Sequence, residues 1–182
     1  RPTPVDISGP VESVGGDMNA GTDHESTFYW CKVPEFHLYE TLDLLVDMLR
    51  NSRYTEEDIE KEKHVIYEEQ RALQDDPAVQ VEMLTDKLLW PNHSLGREIS
   101  GTQESVSQIT REDVLTYVNK FYNPENIVIS VAGNGTHYDI ADKITNLCAG
   151  WNSSYSIADP SPVTSTHGNR IAEEYRTTQQ VH

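Results

Sequence analysis

Two glutamates, Glu62 and Glu69, lie seven residues apart in the stretch IEKEKHVIYEEQRAL. In a helix of about 3.6 residues per turn, steps of three, four and seven residues return to the same face. One such face carries Ile59, Glu62, Ile66, Glu69 and Leu73. The pattern therefore predicts an apolar stripe that packs inward and is interrupted by two carboxylates about 10 Å apart along the helix.

Carboxylates on an inward-packing face have three explanations. Each can lie at the margin of the stripe and reach water, pair with a buried basic side chain, or bind a metal ion. An unpaired buried carboxylate is costly, so the first two are the ordinary cases. The spacing of seven adds weight to a metal, since one carboxylate could ligate while the other orients a partner ligand. The residues alone leave all three open.

The elements that must position this helix follow from turn, cap and periodicity signals. Two strands are expected within residues 13–35 and an amphipathic helix over 36–52. Thr55 caps the glutamate helix, which should run to about Gln74, and Asp76 with Pro77 begins the next helix.

Beyond these helices, the sequence predicts a polar connection, another helix and a buried strand. Gly96 and Gly101 are turn residues of the connection over residues 91–109. Thr110 caps a helix over 111–122, residues 126–133 (NIVISVAG) read as the buried strand, and a last helix follows near 136–151. The order of elements predicts an α+β fold, with helices on one face of a mostly antiparallel sheet.

Composition limits the classes of function. The chain has 182 residues, 36% of them apolar, and a net charge of −16. Such an acidic chain is not expected to bind nucleic acid, and no apolar run approaches the roughly 20 residues of a membrane span. Cys31 and Cys148 stand far apart in no metal-binding spacing, which favours two buried thiols in a reducing, cytoplasmic compartment over one disulfide.

Five stretches occur in order and with natural spacing: VESVGGDMNAGTDHESTFYWCKV, EKEKHVIYEE, DDPAVQV, PNHSLGREISG and YNPENIVISVAGN. Together they resemble the M16 metallopeptidases, of the pitrilysin and mitochondrial-processing-peptidase type. The resemblance covers roughly residues 5–150. It implies that residues 1–150 are part of an N-terminal, catalytic-type domain and that residues 151–182 are a connector toward the next domain.

The resemblance implies zinc chemistry. Members of this family carry H-x-x-E-H on a helix, with two histidine ligands and a glutamate base, and a third ligand from a downstream glutamate. In this chain the resemblance makes Glu69 the zinc ligand and Glu62 the second carboxylate that supports the site. No H-x-x-E-H occurs in the 182 residues. The motif is expected upstream of Arg1, so the chain alone should be catalytically inactive.

The resemblance also implies partners. Asn19 and Ala20 match a strand at the rim of the family's active site, where an extended peptide substrate adds by backbone pairing; a plain edge strand is the alternative. The intact protein would enclose oligopeptides or small proteins between two M16 halves or subunits. A sheet edge uncovered at the start of the chain would favour self-association into homo-oligomers.

The expected function is that of a zinc metalloendopeptidase, of which this chain is a piece. The first alternative is a non-catalytic M16-like partner or core subunit, although such chains usually lose the ligands that Glu62 and Glu69 represent. The second is an acidic α+β interaction module, which predicts that both glutamates pair with basic side chains.

Overall fold

The computed structural model describes residues 3–151 and 171–175, so most of the predicted connector lies outside the described residues. The helices and strands in chain order are α1 (Pro4–Glu12), β1 (Asp17–Thr22), β2 (Thr27–Lys32), α2 (Leu38–Asn51), α3 (Glu56–Asp75), α4 (Pro77–Leu89), α5 (Gln103–Gln108), α6 (Arg111–Phe121) and α7 (His137–Cys148). They form two compact units, each described by itself: the first holds both strands, α1, α2, α7 and nearly all of α6, and the second holds α3, α4 and α5.

The first unit is built on the two predicted strands, which form an antiparallel hairpin. Its register runs from Asp17 opposite Lys32 to Thr22 opposite Thr27. Helix α1 packs on β1, while α2 packs on both β2 and α7. The buried apolar side chains are Val11 of α1 and three of α2, namely Leu42, Leu44 and Val46. An antiparallel sheet with helices packed on it confirms the predicted α+β class.

The predicted strand over 126–133 is wrong. The described residues contain one sheet, and it has only β1 and β2. Ile127 has extended backbone, with φ −117° and ψ 132°, but the segment after it makes no ladder, and Val128 is 93% exposed. A β-branched apolar run becomes a strand only where a neighbouring strand accepts its backbone hydrogen bonds, and none does so in the described part of the chain.

The second unit contains the glutamate helix. Thr55 caps α3 by accepting a hydrogen bond from the Asp58 amide, and Asp76 caps α4 by accepting from the amides of Ala78 and Val79, both as predicted. Helix α3 packs on α4 and α5. Helix α5 lies in the stretch predicted to be a plain polar connection, and its signal is a capping box between Thr102 and Ser105.

Two further features bear on the sequence predictions. Helix α1 was not predicted, although Thr3 and Asp6 form a capping box around a proline at its first turn. Across residues 3–151 and 171–175, no helix combines the length and apolar character that a membrane crossing needs.

Candidate functional site

Helix α3 buries a different line of residues from the predicted one. The polar side chains that it buries are Lys63 and Gln70, which are 9% and 5% exposed. Glu62 and Glu69, each one position earlier, are exposed. The predicted inward position of the two glutamates is therefore wrong, because they flank the packed face instead of interrupting it. Of the three explanations, a position at the margin of the stripe that reaches water is the one that the structure shows.

The two glutamates differ from most other acidic residues of α3 in having no partner. Three glutamates of the helix form ion pairs with residues one turn away: Glu57 with Lys61, Glu60 with Lys63, and Glu68 with Arg71. Glu62 and Glu69 make no hydrogen bond or ion pair with any other described residue. The ion-paired explanation therefore finds no support within the part of the chain that the structure describes.

Exposure and lack of a partner leave both carboxylates available to a ligand. A zinc site in a peptidase takes three protein ligands and keeps one position open. Among the described residues, no three histidine, cysteine, aspartate or glutamate side chains converge on one point. The described residues therefore do not form a zinc centre by themselves, and the role of Glu69 as one carboxylate ligand stays a prediction.

The buried neighbours of the glutamates are anchored to the segment around α5. The Gln70 side-chain amide donates to the carbonyls of Ser100 and Gly101, at 3.0 and 3.1 Å. Lys63 Nζ lies 2.7 Å from Glu60 and donates to the Ser107 carbonyl at 3.4 Å. Neither residue was predicted to be functional; their signal in the sequence is a second pair of polar residues at the same spacing of seven.

Asn19 and Ala20 lie on β1 in the first unit, whereas Glu62 and Glu69 belong to the second unit. In the described sheet, β1 pairs on one side only, so its other edge is open. Both residues are exposed, and Asn19 Oδ1 accepts a hydrogen bond from the Ala20 amide at 2.8 Å. The open edge is the geometry that strand addition needs, and the Ala20 amide already has a hydrogen-bond partner in the Asn19 side chain.

The hairpin is tied to a helix through a pair of tyrosines. Tyr29 faces Ala20 across the hairpin, and its hydroxyl lies 2.8 Å from the hydroxyl of Tyr122, which follows α6. Burial, followed by the hydrogen bond with Tyr29, raises the pKa of Tyr122 above its usual value. The Tyr122 phenol is therefore neutral at physiological pH. Its contact with Tyr29 fixes β2, which in turn holds β1.

The two cysteines are free thiols, and both are half-buried. Burial, with a further contribution from the charge of Asp17, raises the pKa of Cys31. Cys31 therefore stays protonated at neutral pH, which suits a packing role better than a nucleophilic one.

Comparison with protein families identifies two adjoining matches. Residues 2–103 match the family described as insulinase, peptidase family M16. Residues 108–182 match the domain described as the peptidase M16 inactive domain. The first match takes in more than half of the chain and contains α3 with both glutamates.

Curated relatives carry the names of proteases. A Bacillus subtilis protein named uncharacterized zinc protease YmxG is 37% identical over 150 residues, which are 82% of this chain and 36% of that protein. The beta subunit of the mitochondrial-processing peptidase of Dictyostelium discoideum is 33% identical, with 79% of this chain and 31% of that protein covered. The chain thus spans about a third of the length of these curated relatives.

Solved structures share the fold. An M16-like peptidase from Alicyclobacillus acidocaldarius superposes with a TM-score of 0.74 and 27% identity, over 88% of this chain and 37% of that one. A protease from Helicobacter pylori superposes with a TM-score of 0.78 over 87% of this chain and 38% of that one, and at 19% identity it supports the fold alone. Since the M16 family also matches more than half of the sequence, the chain belongs to the insulinase family of peptidases, family M16.

Proposed function

We propose that the protein containing this chain is a zinc-dependent endopeptidase that cleaves peptide bonds in oligopeptides or small proteins. One observation carries the proposal. Helix α3 presents two exposed carboxylates seven residues apart, without partners among the described residues, while three other glutamates of the helix are paired. Relatives that are named zinc proteases support the same metal.

In this proposal the chain supplies one ligand and its support. Glu69 ligates zinc, and Glu62 orients a neighbouring group of the site. When bound, zinc supplies the Lewis acidity that activates water for attack on a peptide bond. Because one carboxylate cannot hold a catalytic zinc, residues 1–182 alone are inactive in this proposal, and the remaining ligands come from outside them.

The substrate is an extended peptide that pairs with the open edge of β1. Backbone pairing recognises a strand of almost any sequence, which fits an enzyme for varied oligopeptides. The Ala20 amide donates a hydrogen bond to the Asn19 side chain. A bound peptide would take over that amide, so Asn19 has to release it, and Asn19 and Ala20 become the substrate contacts of this unit.

A second M16 half or subunit completes the proposed enzyme. The relative from Dictyostelium is named as one subunit of a processing peptidase, and the second matched region is described as an inactive domain. Both descriptions are compatible with a protein in which only one of two related halves holds the metal.

The test uses the full-length protein, assayed for zinc content and for cleavage of a quenched fluorescent peptide. Wild type is expected to hold about one zinc per catalytic site and to cleave, and Glu69→Gln to lose both. Glu68→Gln is the matched control, since Glu68 is exposed on the same helix and pairs only with Arg71. Its zinc content should stay at the wild-type level.

This comparison requires that both variants are as stably folded as the wild type. Both substitutions are at exposed positions, so each is expected to change the free energy of unfolding by less than about 0.5 kcal/mol. A wild-type protein that holds no zinc and does not cleave would contradict the proposal and favour the non-catalytic partner subunit. A Glu69→Gln variant with normal zinc content would show that Glu69 is not a ligand.

A further inference from the structure

Helix α3 is held against its unit by polar anchors that are neighbours of the two glutamates. Lys63 and Gln70 follow Glu62 and Glu69 directly, and both are buried. Both donate to backbone carbonyls of one segment: Gln70 to Ser100 and Gly101, and Lys63 to Ser107. The anchors and the glutamates therefore form two parallel lines on one helix, one fixed and one exposed.

These anchors determine how the helix is rotated about its axis. Consecutive residues of a helix lie about 100° apart around it, so a turn by one position would bring Glu69 to the place of Gln70. The carbonyls of Ser100 and Gly101 accept hydrogen bonds, and a carboxylate cannot donate any. The segment thus accepts an amide at this position and disfavours Glu69 there, which keeps the carboxylate on the exposed flank.

The segment that receives Gln70 is itself well defined. Gly101 has φ +67°, a conformation that glycine adopts without strain, and its amide closes a turn on Glu98. The capping box begins α5 immediately afterwards, and Val106 of that helix is 4% exposed. The two acceptor carbonyls therefore lie on a short, packed support.

We propose that Gln70, assisted by Lys63, is the positioning residue for the metal ligand. Its buried hydrogen bonds to residues 100 and 101 set the rotation of α3 and thereby aim the Glu69 carboxylate at the zinc. This inference rests on the proposed function. It assigns to the segment of residues 100–107 the role of a support that ligates nothing but determines how tightly the metal is held.

The decisive substitution is Gln70→Met in the full-length protein. Methionine has a similar length and fills the same space, but it cannot donate to the two carbonyls. It also removes Gln70 Oε1, a buried acceptor without a partner in the described residues. Because the lost bonds and the removed unpaired acceptor offset each other, the melting temperature should change little while the helix loses its rotational anchor.

Three measurements are made on each variant. The zinc dissociation constant is determined by competition with a chromogenic chelator, well below every melting temperature. Hydrogen exchange of residues 100–108 is followed in the zinc-free protein, and thermal unfolding is recorded. Lys63→Arg, which keeps a cationic donor, is the conservative variant. Leu44→Ala is the stability control, because it opens a cavity in α2 of the other unit.

The expected result is a zinc dissociation constant about 10- to 100-fold higher in Gln70→Met, the range that supporting residues of metal sites show. Exchange of residues 100–108 should be faster in that variant. Lys63→Arg should bind zinc as wild type does, and so should Leu44→Ala despite its lower melting temperature.

Two results would overturn the inference while leaving the proposed function in place. One is a Gln70→Met protein with wild-type zinc affinity. The other is Leu44→Ala losing as much affinity as Gln70→Met, which would make the effect one of general stability. A wild-type protein that binds no zinc would instead refute the proposed function and, with it, the inference. The two cases are distinguishable because the wild type is measured before any variant.

Discussion

The contact between Tyr29 and Tyr122 should stabilise the hairpin that carries the proposed substrate edge. An isolated two-stranded hairpin is marginally stable in water, so β1 and β2 depend on contacts with helices. The two hydroxyl oxygens are 2.8 Å apart, and the rings meet edge to face with centroids separated by 6.5 Å. Replacing either tyrosine by phenylalanine keeps the rings and removes only one hydroxyl.

The magnitude follows from the partners of each hydroxyl. A neutral hydrogen bond contributes about 0.5–1.5 kcal/mol net to stability. Tyr122 can also reach the Thr27 side chain, so Tyr29→Phe leaves it a partner and should cost about 0.5–1 kcal/mol. Tyr122→Phe removes both interactions and should cost about 1–1.5 kcal/mol. The double variant should cost about the same as Tyr122→Phe, because both single changes remove the same bond.

The pH dependence has a definite sign. Burial and the bond with Tyr29 raise the pKa of Tyr122 above the usual value of about 10. Above that pH the unfolded chain has lost this phenolic proton and the folded chain retains it, so the unfolded state binds fewer protons. The contribution of Tyr122 to stability is thus present below about pH 10 and lost as the pH rises further. Tyr122→Phe should weaken this fall.

The assay is a double-mutant cycle of urea unfolding at pH 8, followed by tryptophan fluorescence in the full-length protein and repeated above pH 10. Trp30 lies next to Tyr29 on β2 and reports on the hairpin. Strict additivity of the two substitutions, within about 0.3 kcal/mol, would refute the reasoning, since it would mean that the hydroxyls do not share a bond in solution.

Two further substitutions test the supports of the fold by thermal or urea unfolding. Asn123 is 1% exposed, and its side chain forms hydrogen bonds with a backbone carbonyl before it and a backbone amide after it. Asn123→Ala should lower the free energy of unfolding by about 2–4 kcal/mol. The exposed control Asn119→Ala should lower it by less than about 0.5 kcal/mol. Gly101→Ala should cost about 1–2 kcal/mol or more, since the new Cβ would lie 2.7 Å from Ser105 Oγ in a positive-φ conformation. Gly15→Ala, with positive φ but open space, should cost less.

Local signals predicted the elements well. Thr55 and Asp76 cap the helices that they were expected to cap, and the aromatic, β-branched run near residue 30 is a strand. Such signals depend on neighbours within four residues, which the sequence states directly. The prediction of a strand over 126–133 was wrong because a strand also needs a neighbouring strand, which the local sequence pattern does not specify. Without such a neighbour, Val128 is exposed.

The sequence predicted the helix that carries the two glutamates but not its orientation, and their roles at a zinc site stay a prediction. Glu62 and Glu69 were recognised from their spacing and from the family resemblance, and both are present on α3. Their exposure depends on the rotation of that helix, and this rotation depends on carbonyls about thirty residues later in the chain. Hydrophobic periodicity assigns the inward line from apolar residues alone, so it misses a line that two polar anchors define.

The offset of one residue between the predicted and the observed face explains why the helix can carry these glutamates at all. An ionised carboxylate buried without a partner is costly, whereas a neutral amide can be buried when its hydrogen bonds are made. Gln70 is buried with two such bonds, and Glu69 beside it remains exposed. A metal ligand needs both access and a fixed direction, and in α3 the access belongs to the glutamates and the fixed direction to the residues that follow them.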